Sequence, residues 1–335
     1  MALVEFDGPR RSSMDKSLQM SAELRIVLFS SRRPLQTIVS NCILGRQVIM
    51  PAEGNFSQIS KNHEEIEGRK VSVINTGNFF EKDHTQQHIE KELKRCVCLS
   101  CPGPHAVLLI LDLEDISATD VRTVEKLTKY FVDNILKYTI LVLCHDGKEE
   151  NPNLEDRLWE GINLREILDK CGHRYHLFNK NSVGAKPLLK RIESLVAENG
   201  DRFFTNDKYE EIEGSIRKVE TFVEKESEKE MDKRLCELDC MYQGEELKRE
   251  RDQYLKIVRA EIRKEAEQII LYQLKFPAQD TDYGAGMHAA FVGGLGATTM
   301  MMMMRGLGGG VTGSVLGMIG AAIVVAVVVW RFWRR

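Results

Sequence analysis

Leu24-Arg25-Ile26-Val27-Leu28-Phe29, followed by Ser30-Ser31-Arg32-Arg33-Pro34-Leu35-Gln36-Thr37, is the stretch on which the fold turns. The first six residues are an apolar run as long as a buried strand. Residues 37–44, after the polar link, read as a short helix ending near Gly45. The pattern recurs downstream. Residues 70–75 alternate as a strand, 84–99 read as a helix, and 106–111 (AVLLIL) form a second continuous apolar strand. Residues 118–132 make an amphipathic helix, 138–143 (YTILVL) a strand, 165–171 a helix end, 175–178 a strand and 186–198 a helix. Continuous apolar strands alternating with helices imply an α/β fold with a doubly wound, mainly parallel sheet covered on both faces. Ligands of such sheets bind at the carboxyl ends of the strands, here the turns after Phe29, Asn75, Leu143 and Phe178.

The rest of the chain flanks this core. Residues 1–20 are polar, form a loose tail and lack the apolar centre of a signal peptide, which places the folded part in the cytosol. Residues 206–276 are dense in Glu, Lys and Arg, with apolar residues at helical spacing such as Ile212, Ile216, Val219 and Val223. They read as one long or two shorter solvated helices, or a coiled coil. Residues 306–330 carry no charge, and about 20 apolar residues cross a bilayer core. Trp330 and Trp333 suit the lipid–water interface, with Arg331, Arg334 and Arg335 in the headgroups. A second uncharged run, 283–304, would make a membrane hairpin that keeps these arginines on the cytoplasmic side. Gly309, Gly313 and Gly317 form a small-residue stripe through which two such helices approach closely. The chain is thus expected on the cytoplasmic face of an intracellular membrane, anchored by its C-terminus.

Composition narrows the chemistry. The formal charge is −3, and the segment after residue 283 contributes only arginines, so the remainder is more acidic still and suits no nucleic-acid role. The eight cysteines read mainly as buried apolar groups of a cytosolic protein. Cys96, Cys98 and Cys101 have no second ligand pair at zinc spacing, and His84 and His88 have no third ligand, so neither set reads as a metal site. His105, after Pro104 and before a buried strand, reads as structural.

A strand, a tight link and a helix is also the layout of a phosphate-binding loop, G-x-x-x-x-G-K-[S/T]. On that register Ser30 and Leu35 replace glycines, Gln36 replaces the lysine, and Thr37 alone fits.

Several segments nevertheless resemble the immunity-associated nucleotide-binding GTPases, the GIMAP family, in the septin-like branch of P-loop GTPases. The most specific is Cys98-Leu99-Ser100-Cys101-Pro102-Gly103-Pro104-His105, similar to the block that sets this family apart. Asn41-Cys42-Ile43-Leu44-Gly45-Arg46, Glu67-Gly68-Arg69-Lys70-Val71, Lys137-Tyr138-Thr139-Ile140, Cys171-Gly172-His173-Arg174-Tyr175-His176 and Val196-Ala197-Glu198-Asn199-Gly200 match in order and spacing. The resemblance covers roughly residues 21–206 and implies a G domain over 21–205. It implies GTP or GDP with Mg²⁺ as ligand, and homo- or hetero-dimers with related G domains through the nucleotide face. It also implies C-terminal hydrophobic anchors and roles in lymphocyte survival at intracellular membranes and lipid droplets.

Carried over by position, Ser30, Ser31, Arg33, Gln36 and Thr37 would face the phosphates, Thr37 would hold Mg²⁺, and Asn78 would stand at the γ-phosphate sensor. His145, Asp146 and Asn179 would lie at the guanine. The chemistry departs from the family at each turn. Pro34 has no N–H to offer an oxygen, Leu35 adds a Cβ where the backbone must pass close, and Gln36 brings no positive charge. Asn75 is an amide at the carboxylate position, Asn78 replaces a glycine, Asp146 is shifted by one position, and no threonine lies between Ile38 and Asn75. Together these changes point to a pseudo-GTPase scaffold. The alternatives are a slow GTPase switch with Arg33 in the place of the lysine, or a membrane-shaping hairpin with a vestigial domain.

Overall fold

The computed structural model describes residues 23–47, 59–76, 85–147, 161–182 and 184–275. Contacts divide the chain at Glu210/Glu211 into two units.

The first unit is built on a six-stranded sheet of order β2-β3-β1-β4-β5-β6. Its strands are β1 (Leu24–Phe29), β2 (Ser60–Ile66), β3 (Arg69–Asn75), β4 (Ala106–Asp112), β5 (Thr139–His145) and β6 (Tyr175–Asn179). All neighbours are parallel except β2, which runs antiparallel to β3. The helices are α1 (Arg33–Leu44), α2 (Gln86–Ser100), α3 (Ala118–Phe131), α4 (Ile162–Lys170) and α5 (Lys186–Glu198).

Side chains alternate across each strand, so both faces need cover. On one face Ile26, Leu28, Val73, Leu108, Ile110 and Val142 pack with Leu35, Val39 and Ile43 of α1 and Leu188, Ile192 and Leu195 of α5. The intervening residues Val27, Phe29, Leu109 and Leu141 are equally buried on the other face, where the Phe29 ring lies 6.4 Å from that of Phe131 in α3. Burying such side chains contributes about 1.5–3 kcal/mol each, which is why the apolar runs specify the sheet.

Three differences from the sequence reading matter for the site. Helix α1 begins at Arg33 rather than Thr37, because a proline in the first turn lacks only an N–H that has no intrahelical partner. Strands β4, β5 and β6 continue to Asp112, His145 and Asn179. The pairs Asp112↔Cys144 and His145↔Asn179 keep the backbone register after the apolar run has stopped. Strand β2 (SKNHEEI) is an edge strand whose polar composition hides it from a hydrophobicity reading.

Cys96, Cys98 and Cys101 are buried thiols, and among the described residues no group of three or more His, Cys, Asp or Glu could hold a metal ion. His84 lies outside the described residues. Buried His105 is structural: its Nδ1 accepts from the Arg25 N–H at 3.1 Å.

The second unit holds helix α7 (Gly244–Lys275) and most of α6 (Asp207–Met241). Residues 206–275 therefore form two helices, and Gly244, at φ +59°, opens the second. Val223, Leu238, Tyr254, Val258, Ile262 and Ile269 form its apolar seam. Arg263 ties the helices through Glu213 at 2.7 Å and Glu220 at 3.5 Å. Among the described residues no helix is long and apolar enough to cross a membrane. The tail 1–20 and the segments 283–304 and 306–330 lie outside the described residues.

Candidate functional site

The carboxyl ends of β1, β4, β5 and β6 bring most of the candidate residues to one edge of the sheet. At β1 the link to α1 is short, because the helix takes over at Arg33. Buried Ser30 donates from Oγ to the Ile110 carbonyl at 2.8 Å and accepts from the Arg32 N–H at 3.0 Å. Ser31 donates to Asp120 Oδ1 at 2.5 Å. Asp120 also accepts from the N–H and Oγ of Ser117, closing the capping box of α3. Gln36 is fully buried, with Nε2 reaching back to the Ser30 carbonyl at 3.4 Å. Thr37 turns its hydroxyl onto the Arg33 carbonyl at 3.3 Å. Arg33 is the first helical residue.

A chain of ion pairs crosses the same edge. Arg32 pairs with Asp115, donates to the Asp115 carbonyl at 2.9 Å and lies 3.5 Å from Asp112. Asp112, at the end of β4, accepts from Lys180 Nζ at 3.1 Å. The same ammonium lies 3.0 Å from Asp146. Burial opposes the Lys180 charge, but the hydrogen bonds to Asp146 and Asp112 outweigh it and raise its pKa. The hydrogen bond to Asp115 raises that of Arg32.

The loops after β5 and β6 are knitted together. Lys180 N–H donates to the His145 carbonyl at 2.9 Å, and Asn181 Nδ2 to the Asp146 carbonyl at 2.8 Å. The Asn179 carboxamide oxygen accepts from the Asn181 N–H at 2.8 Å, and His145 Nδ1 from the Gly147 N–H at 3.2 Å. Gly147 is needed here: its φ is +65°, and a Cβ would stand 2.2 Å from Asn179 Nδ2.

The structure thus gathers Ser30, Ser31, Arg33, Gln36 and Thr37 at one end of the edge and His145, Asp146 and Asn179 at the other. Asn78 lies outside the described residues. Asp112, Asp115 and Lys180, which together with Arg32 link the two ends, were not singled out in the sequence; Arg32, an alternative to Arg33 for the missing lysine charge, is instead paired with Asp115. The one signal that could have marked them is a carboxylate directly ending an apolar strand, as Asp112 does.

These residues do not fit a nucleotide phosphate chain with Mg²⁺. Phosphates need several backbone N–H groups converging from an open loop. Here the first helical turn, with Pro34 in it, occupies that length of chain, and the lysine position is a buried amide. The metal side is changed as well: fully buried Asn75 donates from Nδ2 to Ser40 Oγ at 3.1 Å.

Comparison with known proteins gives the relationship. The model of the AIG1 family matches residues 24–226. Human GTPase IMAP family member 8 is 27% identical over 207 residues, covering 58% of this chain and 31% of that protein. Immune-associated nucleotide-binding protein 1 of Arabidopsis thaliana is 30% identical over 158 residues, covering 44% of this chain and 70% of that protein. This chain thus spans about a third of the length of the human relative. Among solved structures, Toc33 from Arabidopsis thaliana in complex with GDP and Mg²⁺ aligns with a TM-score of 0.45 at 14% identity, over 58% of this chain and 91% of that one. With the family model matching more than half of its length, the chain belongs to the AIG1 family.

Proposed function

We propose that this chain is a pseudo-GTPase scaffold of the AIG1 family. It keeps the G-domain fold without depending on a guanine nucleotide and pairs with related G domains through the carboxyl edge of the sheet. Its apolar C-terminal segment holds it on the cytoplasmic face of an intracellular membrane. The observation that carries the reading is the start of α1 at Arg33, which turns the would-be phosphate loop into helix and buries Gln36 beneath it. The ion-pair chain from Arg32 to Asp146 supports it, since charges that a nucleotide would engage are already satisfied within the fold. Each lost phosphate contact weakens binding by a factor of about ten per 1.4 kcal/mol.

The test is isothermal titration of GDP and GTPγS, with Mg²⁺, into the folded full-length chain in detergent. The expected result is no measurable heat, and Gln36→Lys restores none, because the new ammonium points into the core. Micromolar binding by the wild-type chain, abolished by Arg33→Ala, would replace the proposal with a slow switch in which Arg33 serves as the lysine.

A further inference from the structure

Among the described residues strand β2 is the outer edge of the sheet, and each of its residues is half-buried or exposed. The turn Glu67-Gly68, with φ of 51° and 78°, is a two-residue hairpin, so the closing pair Ile66↔Arg69 exchanges hydrogen bonds. Counting back by twos, Glu64, Asn62 and Ser60 also bond to β3. The backbone groups of Lys61, His63 and Glu65 therefore point away from the sheet. Arg46 confirms this direction: from outside, its Nη2 donates to the His63 carbonyl at 3.3 Å while its Nε holds Glu64 at 2.8 Å.

Read along the outward row, the side chains are cation, imidazole and anion. In an antiparallel pairing of two such edges, one register alone joins all three outward residues with all three, and it is centred on His63. That register sets Lys61 opposite Glu65 of a second copy, twice, and Asn62 beside Glu64. Charges on an edge strand ordinarily keep edges apart. Here they are antisymmetric about the centre, so the self-paired register is attractive, while like charges placed opposite each other would repel. On the same face the Glu23 carboxylate is shared by Lys61 at 3.8 Å, Lys70 at 3.5 Å and Arg25 at 3.8 Å. Glu65 of a second copy would bring a further carboxylate to this cation-rich place. Burial, then Lys70, Lys61 and Arg46, lower the His63 pKa against the pull of Glu23, so two imidazoles meet uncharged at neutral pH.

We propose that β2 is a self-pairing edge, at which two copies of this chain join antiparallel about His63 into one continuous sheet, and that Arg46 guards the edge until the second copy displaces it. This surface is separate from the carboxyl edge of the strands and does not depend on what that edge binds.

The test is sedimentation velocity of the full-length chain in detergent at low salt, with circular dichroism to confirm folding. The wild type should self-associate. Lys61→Glu and Glu65→Lys should each weaken association at least about tenfold, by setting like charges opposite each other. Mixing the two single variants should restore a dimer, since each then offers the other opposite charges, and the double variant should restore it alone. Arg46→Ala should tighten association. A wild type that stays monomeric, single substitutions that leave the strength of association unchanged, or a mixture that fails to recover the association lost by the two single variants would each overturn the proposal.

Discussion

At the scale of single residues, burial decides what each polar group can do. Gln36 occupies the sequence position of a phosphate-binding lysine, yet it is fully buried and bonded to the Ser30 carbonyl. His105 shows the same rule with a measurable consequence. Its Nδ1 accepts from the Arg25 N–H, which requires the neutral ring. Burial, then Arg25 and Arg69, hold its pKa at about 3, against a weaker upward pull from Glu23. The folded pKa lies below the ordinary 6.5, so the stabilisation is present above that pH and is lost as the pH falls from 6.5 toward 3. At about 1.4 kcal/mol per pH unit, roughly 2–3 kcal/mol should disappear between pH 6.5 and 4.5. Thermal melts across this range should show the loss, and His105→Asn, which keeps an acceptor without the titration, should flatten it.

At the scale of elements, a helix end and a loop share one carboxylate. Asp120 closes the capping box of α3 and also accepts from Ser31 in the link after β1. Asp120→Ala should therefore lose more than an ordinary cap, about 2 kcal/mol. Chemical denaturation should show the drop, and hydrogen exchange should show faster opening at both Ser31 and the first turn of α3. Most elements were legible in the sequence. Strands β1, β4 and β5 are apolar runs that no exposed segment would carry. Strand β2 was not legible, because an edge strand takes its stability from backbone pairing with β3 and leaves its side chains polar. The start of α1 was misplaced because the link looked like a loop motif, whereas Pro34 is compatible with a first helical turn.

At the scale of the whole first unit, Asp112 and Lys180 join loops that follow four different strands. Lys180 is bonded to both Asp112 and Asp146, and Asp112 also faces Arg32. The Lys180 and Asp112 side chains are only 16% and 13% exposed, so removing one leaves nearly buried charge behind. Lys180→Met should cost about 2–3 kcal/mol. Differential scanning calorimetry should show a lower melting temperature that GDP with Mg²⁺ does not restore. A large recovery with nucleotide would mean that the edge binds it after all.

The sequence by itself determined the α/β class, the order of the apolar strands and the family resemblance, because apolar periodicity and local motifs are written in neighbouring residues. Tertiary structure alone decided how the charges at the carboxyl edge pair. Arg32, Asp112, Asp146 and Lys180 are far apart in the chain, and an isolated charge at a strand end carries no mark of its partner. Only the parallel register that sets Asp112 beside Cys144 and His145 beside Asn179 brings those charges within reach of one another.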